Sequence, residues 1–65
     1  MTPIRSVEVR PGDRIVGFDG RTVELVADVV HSAGYVTIYT VARSPFDIGV
    51  SRTLWASDMV DLVNR

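Results

Sequence analysis

An all-β fold, curled into a small barrel of five to six strands, follows from three features of this 65-residue chain. The first is a long stretch, Arg21 to Arg43, made of two apolar arms around Ser32, Ala33 and Gly34. The second is a set of short β-rich runs separated by turn residues at Pro11-Gly12 and Asp19-Gly20. The third is that no arm of the long stretch keeps a clean helical stripe.

Taken in order, Met1 to Pro3 reads as a frayed end. Ile4 to Arg10 alternates Val7 and Val9 with charges and reads as a short half-buried strand. Pro11-Gly12-Asp13 is a turn in which Pro presets φ and Gly permits the positive φ of a type II geometry. Arg14 to Phe18 is the next strand, and Gly17 within it marks a bulge or a close backbone approach. Asp19-Gly20 matches the two-residue type I′ hairpin signal.

The long stretch then forms the central hairpin. Its first arm, Arg21 to His31, is rich in Val, which is stiff at Cβ and favours extended backbone. Its second arm, Tyr35 to Arg43, mixes β-branched and aromatic residues. A three-residue loop with Gly34 in the left-handed position predicts that His31 faces Tyr35. Counting outward then sets Val30 opposite Val36, Asp28 opposite Ile38, Val26 opposite Thr40 and Leu25 opposite Val41. Even positions carry Val26, Val30, Val36 and Ile38, while odd positions carry Val23, Leu25, Val29, Tyr35 and Tyr39. Two partly apolar faces suit a long strand that bends and serves both sheets of a barrel. Asp28, polar amid Val and Ala, marks the bend.

Ser44 to Gly49 forms a longer loop whose Phe46 and Ile48 can fold back onto a barrel end. Val50 to Ala56 is a fifth extended run. Paired with the second arm, it places Leu54 on the face of Ile38 and Trp55 on the opposite face, beside Thr37 and Tyr39. Ser57 or Asp58 serves as N-cap for one turn of 3₁₀ helix, followed by a last strand ending near Val63. The alternative is a single short α-helix from Ala56 to Asn64, with Met59, Val60 and Val63 on one face.

Composition bounds the function. The chain makes one domain, spanning 1–65, and a domain this small buries only about 60% of its unfolded surface. It has no Cys, so no disulfide or thiolate metal site staples it. A hydrophobic share of 46% leaves apolar surface over, which favours self-association or a partner. The net charge of −1 argues against a mainly electrostatic nucleic-acid binder. All seven basic residues are Arg, which suits phosphate or carboxylate recognition but also reflects codon usage in a GC-rich genome. No apolar run reaches membrane-spanning length and no signal pattern opens the chain, so a cytoplasmic protein is expected.

Pro11 to Val16, Asp19-Gly20, the long bent hairpin, and Ala56 to Val60 ahead of Asp61-Leu62-Val63 together resemble the SH3-like small barrel. The pattern looks like the small SH3-like proteins encoded by actinobacteria and their phages. The resemblance covers most of the chain and rests on turn chemistry. It implies a shape, with the one-turn 3₁₀ helix before the last strand, and transfers no functional residues. The acidic loop and paired aromatics that a Pro-rich ligand needs are missing, so that activity is not implied.

Reactive groups are sparse. His31 is the only His, and its neighbours Asp28 and Ser32 on a strand and turn do not have triad geometry; a surface His at a hairpin end is the simpler reading. Eight scattered carboxylates offer no ligand spacing, and Asp58 with Asp61 reads as a capping pair. No catalytic residue, cofactor, metal or small-molecule substrate is therefore expected. The functional lead is the aromatic set Tyr35, Tyr39 and Trp55, with Arg43 and Arg52 as a polar rim. Trp55 and Tyr39 as core residues is the competing reading. The expected function is a non-enzymatic module that binds a protein partner or itself, as a homodimer, through Tyr35, Tyr39, Trp55 and Arg52. The alternative is weak nucleic-acid binding by Arg10, Arg14, Arg21, Arg43 and Arg52, with bases stacked on the aromatic platform.

Overall fold

Turn residues punctuate the β-branched runs into six antiparallel strands among the described residues, which in this computed structural model are 1–17, 20–41 and 51–63. In chain order they are β1 (Thr2–Arg5), β2 (Arg14–Val16), β3 (Val23–Ser32), β4 (Tyr35–Thr40), β5 (Ser51–Trp55) and β6 (Met59–Leu62). A 3₁₀ turn at Ser6–Glu8 separates β1 from β2. The strands lie side by side in the order β1-β6-β2-β3-β4-β5.

The N-terminus departs from expectation twice. Thr2 to Arg5 is an edge strand paired with β6, Ile4 opposite Val60 and Thr2 opposite Leu62. Pro3 is tolerated there because an edge strand can spare one donor. The expected strand over Ile4 to Arg10 is broken at Ser6. Glu8 Oε2 accepts the Arg5 N–H at 3.1 Å, and Ser6 donates its N–H to Asp58 O at 2.8 Å and its Oγ–H to Trp55 O at 2.8 Å. Such side-chain bonds compete with a ladder. The turn separates Val9, which is buried, from Val7, which is not.

Pro11-Gly12 turns as expected. Gly12 has φ 93°, Asp13 N–H bonds Arg10 O at 3.1 Å, and Asp13 Oδ2 accepts the Arg10 N–H at 2.9 Å. The β2–β3 hairpin places Val16 opposite Val23 and Arg14 opposite Leu25. Gly17 is buried and donates to Thr22 O, and Gly20 has φ 77°. Asp19, its expected turn partner, lies outside the described residues, as do Phe46 and Ile48.

The central hairpin differs from expectation by one residue. Ser32 pairs with Tyr35, so the loop is Ala33-Gly34 alone, with Gly34 at φ 79°. His31 therefore faces Val36, Val30 faces Thr37 and Val29 faces Ile38. Asp28 faces Tyr39 and not Ile38. Beyond a bulge between Val26 and Asp28, Val26 faces Thr40 as expected, and Val41 N–H bonds Leu25 O at 2.9 Å. The bend is where the polar residue predicted it. One extra residue also flips the inward parity of β3. Val26 points inward before the bulge and Val29 after it, which removes Val30 from the expected inner set.

That flip lets one core form on one side of a bent sheet. Val9, Ile15, Val26, Val36, Ile38, Val60 and Leu62 are buried together, with Ile4, Val29 and Leu54 packed against them. Leu54 stands opposite Val36 on the Ile38 face, as its pairing predicted.

The end of the chain corrects two expectations. Ala56 and Ser57 make a tight turn and Met59–Leu62 is a strand, so neither a 3₁₀ helix nor an α-helix precedes the C-terminus in the described residues. Asp58 closes that turn: its Oδ2 accepts the Trp55 N–H at 2.9 Å and its N–H bonds Trp55 O at 3.0 Å. The same contacts bear on the expected barrel. The sheet is open, with β1 and β5 as its edges. The backbone groups of Trp55 at the β5 edge are taken by Asp58 and Ser6 and not by another strand. Side chain and turn bridge the seam where a ladder was expected.

Ser6 is wholly buried, so its hydroxyl is the test of that bridge. Ser6→Ala should lower stability by about 1 kcal/mol, because Trp55 O keeps its bond from Asp58. Urea unfolding would read this as a lower midpoint at unchanged slope. An unchanged midpoint would show that the bridge does not hold the seam.

Candidate functional site

Pairing and pleat together decide what the outer face of the bent sheet carries. Residues directly opposite each other share a face. Tyr35 stands opposite Trp55, Thr37 opposite Thr53, and Tyr39 opposite Ser51, all turned away from Val36 and Ile38. The Tyr35 and Trp55 rings stack with centroids 4.6 Å apart and planes 29° apart. Thr37 Oγ1 and Thr53 Oγ1 are hydrogen-bonded at 3.0 Å. Tyr35 is 42% exposed and Trp55 58%. Trp55 is a surface residue, and the core reading of Trp55 and Tyr39 is set aside.

Two details correct the expected patch. Trp55 neighbours Tyr35, not Tyr39. Tyr39 sits four residues along β4, roughly 13 Å away at strand rise. Arg52 is opposite Ile38, on the core side of the sheet, so it does not rim the aromatic face. It lines a cavity of about 410 Å³ with Leu54, Val60, Asp58 and Asp61. Arg43 lies outside the described residues.

The face is larger than its aromatics. The parity flip at the bulge turns Val23 and Leu25 outward on one side and Val30 on the other, and Val41 beside Leu25 joins them. With Tyr35, Tyr39 and Trp55 these make seven large apolar side chains, each 42–58% exposed, turned to the outer side of the sheet. An aromatic side chain offers roughly 150–250 Å², so Tyr35, Tyr39 and Trp55 alone leave on the order of 300 Å² open. With the four aliphatic side chains added, the face falls within the about 300–600 Å² of the largest patch on a typical monomer. Among the described residues the face carries two charges, Arg14 opposite Leu25 and Asp28, whose Oδ1 accepts the Val29 N–H at 2.8 Å. The odd-numbered apolar residues were the sequence signal for this face. The bulge hid that Val30 belongs to it and Val29 does not.

The remaining candidates do not converge. Arg10 is at the Pro11 turn, Arg14 on β2, Arg21 beside Gly20, and Arg52 by its cavity. His31 is exposed at the far end of β3. Asp58 and Asp61 occupy a turn and a strand, so the helical spacing expected of them does not exist. Among the described residues no three His, Asp or Glu side chains come close enough to hold a metal ion, and no helix is long and apolar enough to cross a membrane. Compared with known proteins, the chain matches no family model, no curated protein and no solved structure.

Because Trp55 is exposed, Trp55→Ser should leave a folded chain. The expected loss is about 1 kcal/mol, the scale of one aromatic pair, and not the 3–5 kcal/mol typical of a buried aromatic. Thermal unfolding checks this. Outright unfolding would return Trp55 to the core.

Proposed function

We propose that this chain is a non-enzymatic interaction module that binds a protein surface, a partner's or that of a second copy, through its outer face. Tyr35 and Trp55 anchor the contact, and Tyr39, Leu25, Val30 and Val41 surround it. The observation that supports the reading is the stacked, half-open pair Tyr35–Trp55 at the head of a nearly uncharged apolar surface. Rigid aromatics in such a setting are the residues on which interface energy concentrates. Arg52 drops out of the site because it faces the other way.

The shape we propose is an SH3-like small barrel of the kind that actinobacteria and their phages encode. A long strand bent at a bulge and shared by both halves of the sheet supports this. The open seam and the position of the 3₁₀ turn are departures from it. A cysteine-free chain whose basic residues are all Arg fits a cytoplasmic protein of a GC-rich genome.

Light scattering on the purified chain, from micromolar to millimolar concentration, tests the contact. Self-association that survives 0.5 M salt and vanishes in Trp55→Ser is the expected result. A chain monomeric throughout would shift the reading to a separate protein partner. Binding to single-stranded DNA that falls steeply as salt rises would replace it with the nucleic-acid alternative.

A further inference from the structure

Beyond the bulge, register fixes the outer side of β3, β4 and β5 as an array of three rows. Directly opposed residues share a face, so the rows are Asp28-Tyr39-Ser51, Val30-Thr37-Thr53 and Ser32-Tyr35-Trp55. Thr37 is half-buried and the other eight are exposed. Neighbouring rows lie two residues apart along each strand, roughly 7 Å at strand rise.

Turned end for end, the array matches itself. A two-fold axis along the middle row sets the first row of one copy on the last row of the other. Asp28 then meets Ser32 of the second copy, Tyr39 meets Tyr35, and Ser51 meets Trp55. The same contacts recur on the far side of the axis, as an isologous interface requires. Among the described residues the Asp28 carboxylate has one hydrogen-bond partner, the N–H of Val29 beside it. A carboxylate taken out of water needs further donors, and the Ser32 hydroxyl of the second copy supplies one. Tyr39 against Tyr35 sets ring on ring. On the axis, Val30 meets its own copy. The Thr37 and Thr53 hydroxyls there already bond each other, so covering them strands no polar group. An axis along β4 instead would set Val30 on Thr53 and lose the apolar match.

We propose that the outer face takes a second copy of this chain, packed sheet on sheet about a two-fold axis along Val30, Thr37 and Thr53. This arrangement rests on the outer face being the protein contact and names its occupant. The occupant has to bring a hydroxyl to Asp28 and aromatic rings to Tyr39 and Tyr35. This chain presents that pattern in reverse order, which is why a second copy fits. Arg14 lies on β2, outside the array.

The chain has no Cys, so single cysteines report the geometry without background. Packed sheets lie about 10 Å apart, within reach of a short thiol crosslinker. Val30→Cys and Thr53→Cys each face their own copy on the axis and should crosslink into dimers. Ser32→Cys and Ser51→Cys stand one row off it. Each is displaced from its own copy by roughly 13 Å along the strands, so both should crosslink at least tenfold more slowly. All four are compared at concentrations where light scattering shows a dimer, and the pattern survives the loss of any one variant. Equal rates at all four positions, or no crosslink at Val30→Cys, would overturn the arrangement while leaving the outer face as a protein contact. A chain monomeric up to millimolar concentration would overturn it as well, and would pass the face to a separate partner.

Discussion

One extra residue in β3 governs this molecule. The bulge between Val26 and Asp28 bends the strand and reverses which side chains point inward. Before it, Val26 reaches the core and Val23 and Leu25 face out. After it, Val29 reaches the core and Val30 faces out. A regular strand would send one half of its Val residues to the wrong side. β2 pairs only with the first half of β3, ahead of the bulge. Core and outer face depend on the same local irregularity.

Among the described residues the core so formed is small: seven buried apolar residues, none larger than Leu or Ile. A domain of this length buries only about 60% of its unfolded surface and is marginal by that measure. The fold therefore leans on bonds that join its two halves. β3 and the turn at 56–58 are covalent links between them. Ser6, Trp55 and Asp58 make a further link, where the hydroxyl, one carboxylate and one backbone carbonyl meet at the open seam. Among the described residues eleven large hydrophobic side chains nonetheless remain exposed, seven of them on the outer face. In a chain this short, apolar residues left in water work against solubility, so their concentration on one face is what makes recognition the reading to test.

Local chemistry made part of this legible in the sequence. Gly12 and Gly34 both occupy positive φ where the turn residues placed them, and Asp28 sits at the bend its polarity marked. The pairs Val26–Thr40 and Leu25–Val41 also follow from simple counting. They do so because two offsets cancel: the loop is one residue shorter than expected, and the bulge restores that residue. Between loop and bulge the cancellation fails, which is why Val29 and Val30 exchanged roles. The aromatic face was visible as an odd-numbered set, and the alternation that put Leu54 on the Ile38 face also puts Arg52, two residues before it, on that face and away from Trp55. The break at Ser6 has one local contributor, the Glu8 carboxylate that accepts the Arg5 N–H, and two distant ones. Its partners Trp55 and Asp58 lie about fifty residues away in the chain, and only the folded sheet brings them together.

The bulge is tested most directly by proton–proton contacts across the hairpin in solution. Opposed residues that do not share ladder bonds bring their Cα atoms to about 4.5 Å. The structure requires Hα–Hα contacts for Val26 with Thr40, Val29 with Ile38 and His31 with Val36. Contacts of Asp28 with Ile38 and Val30 with Val36 would mean a continuous strand, a different core and a different outer face.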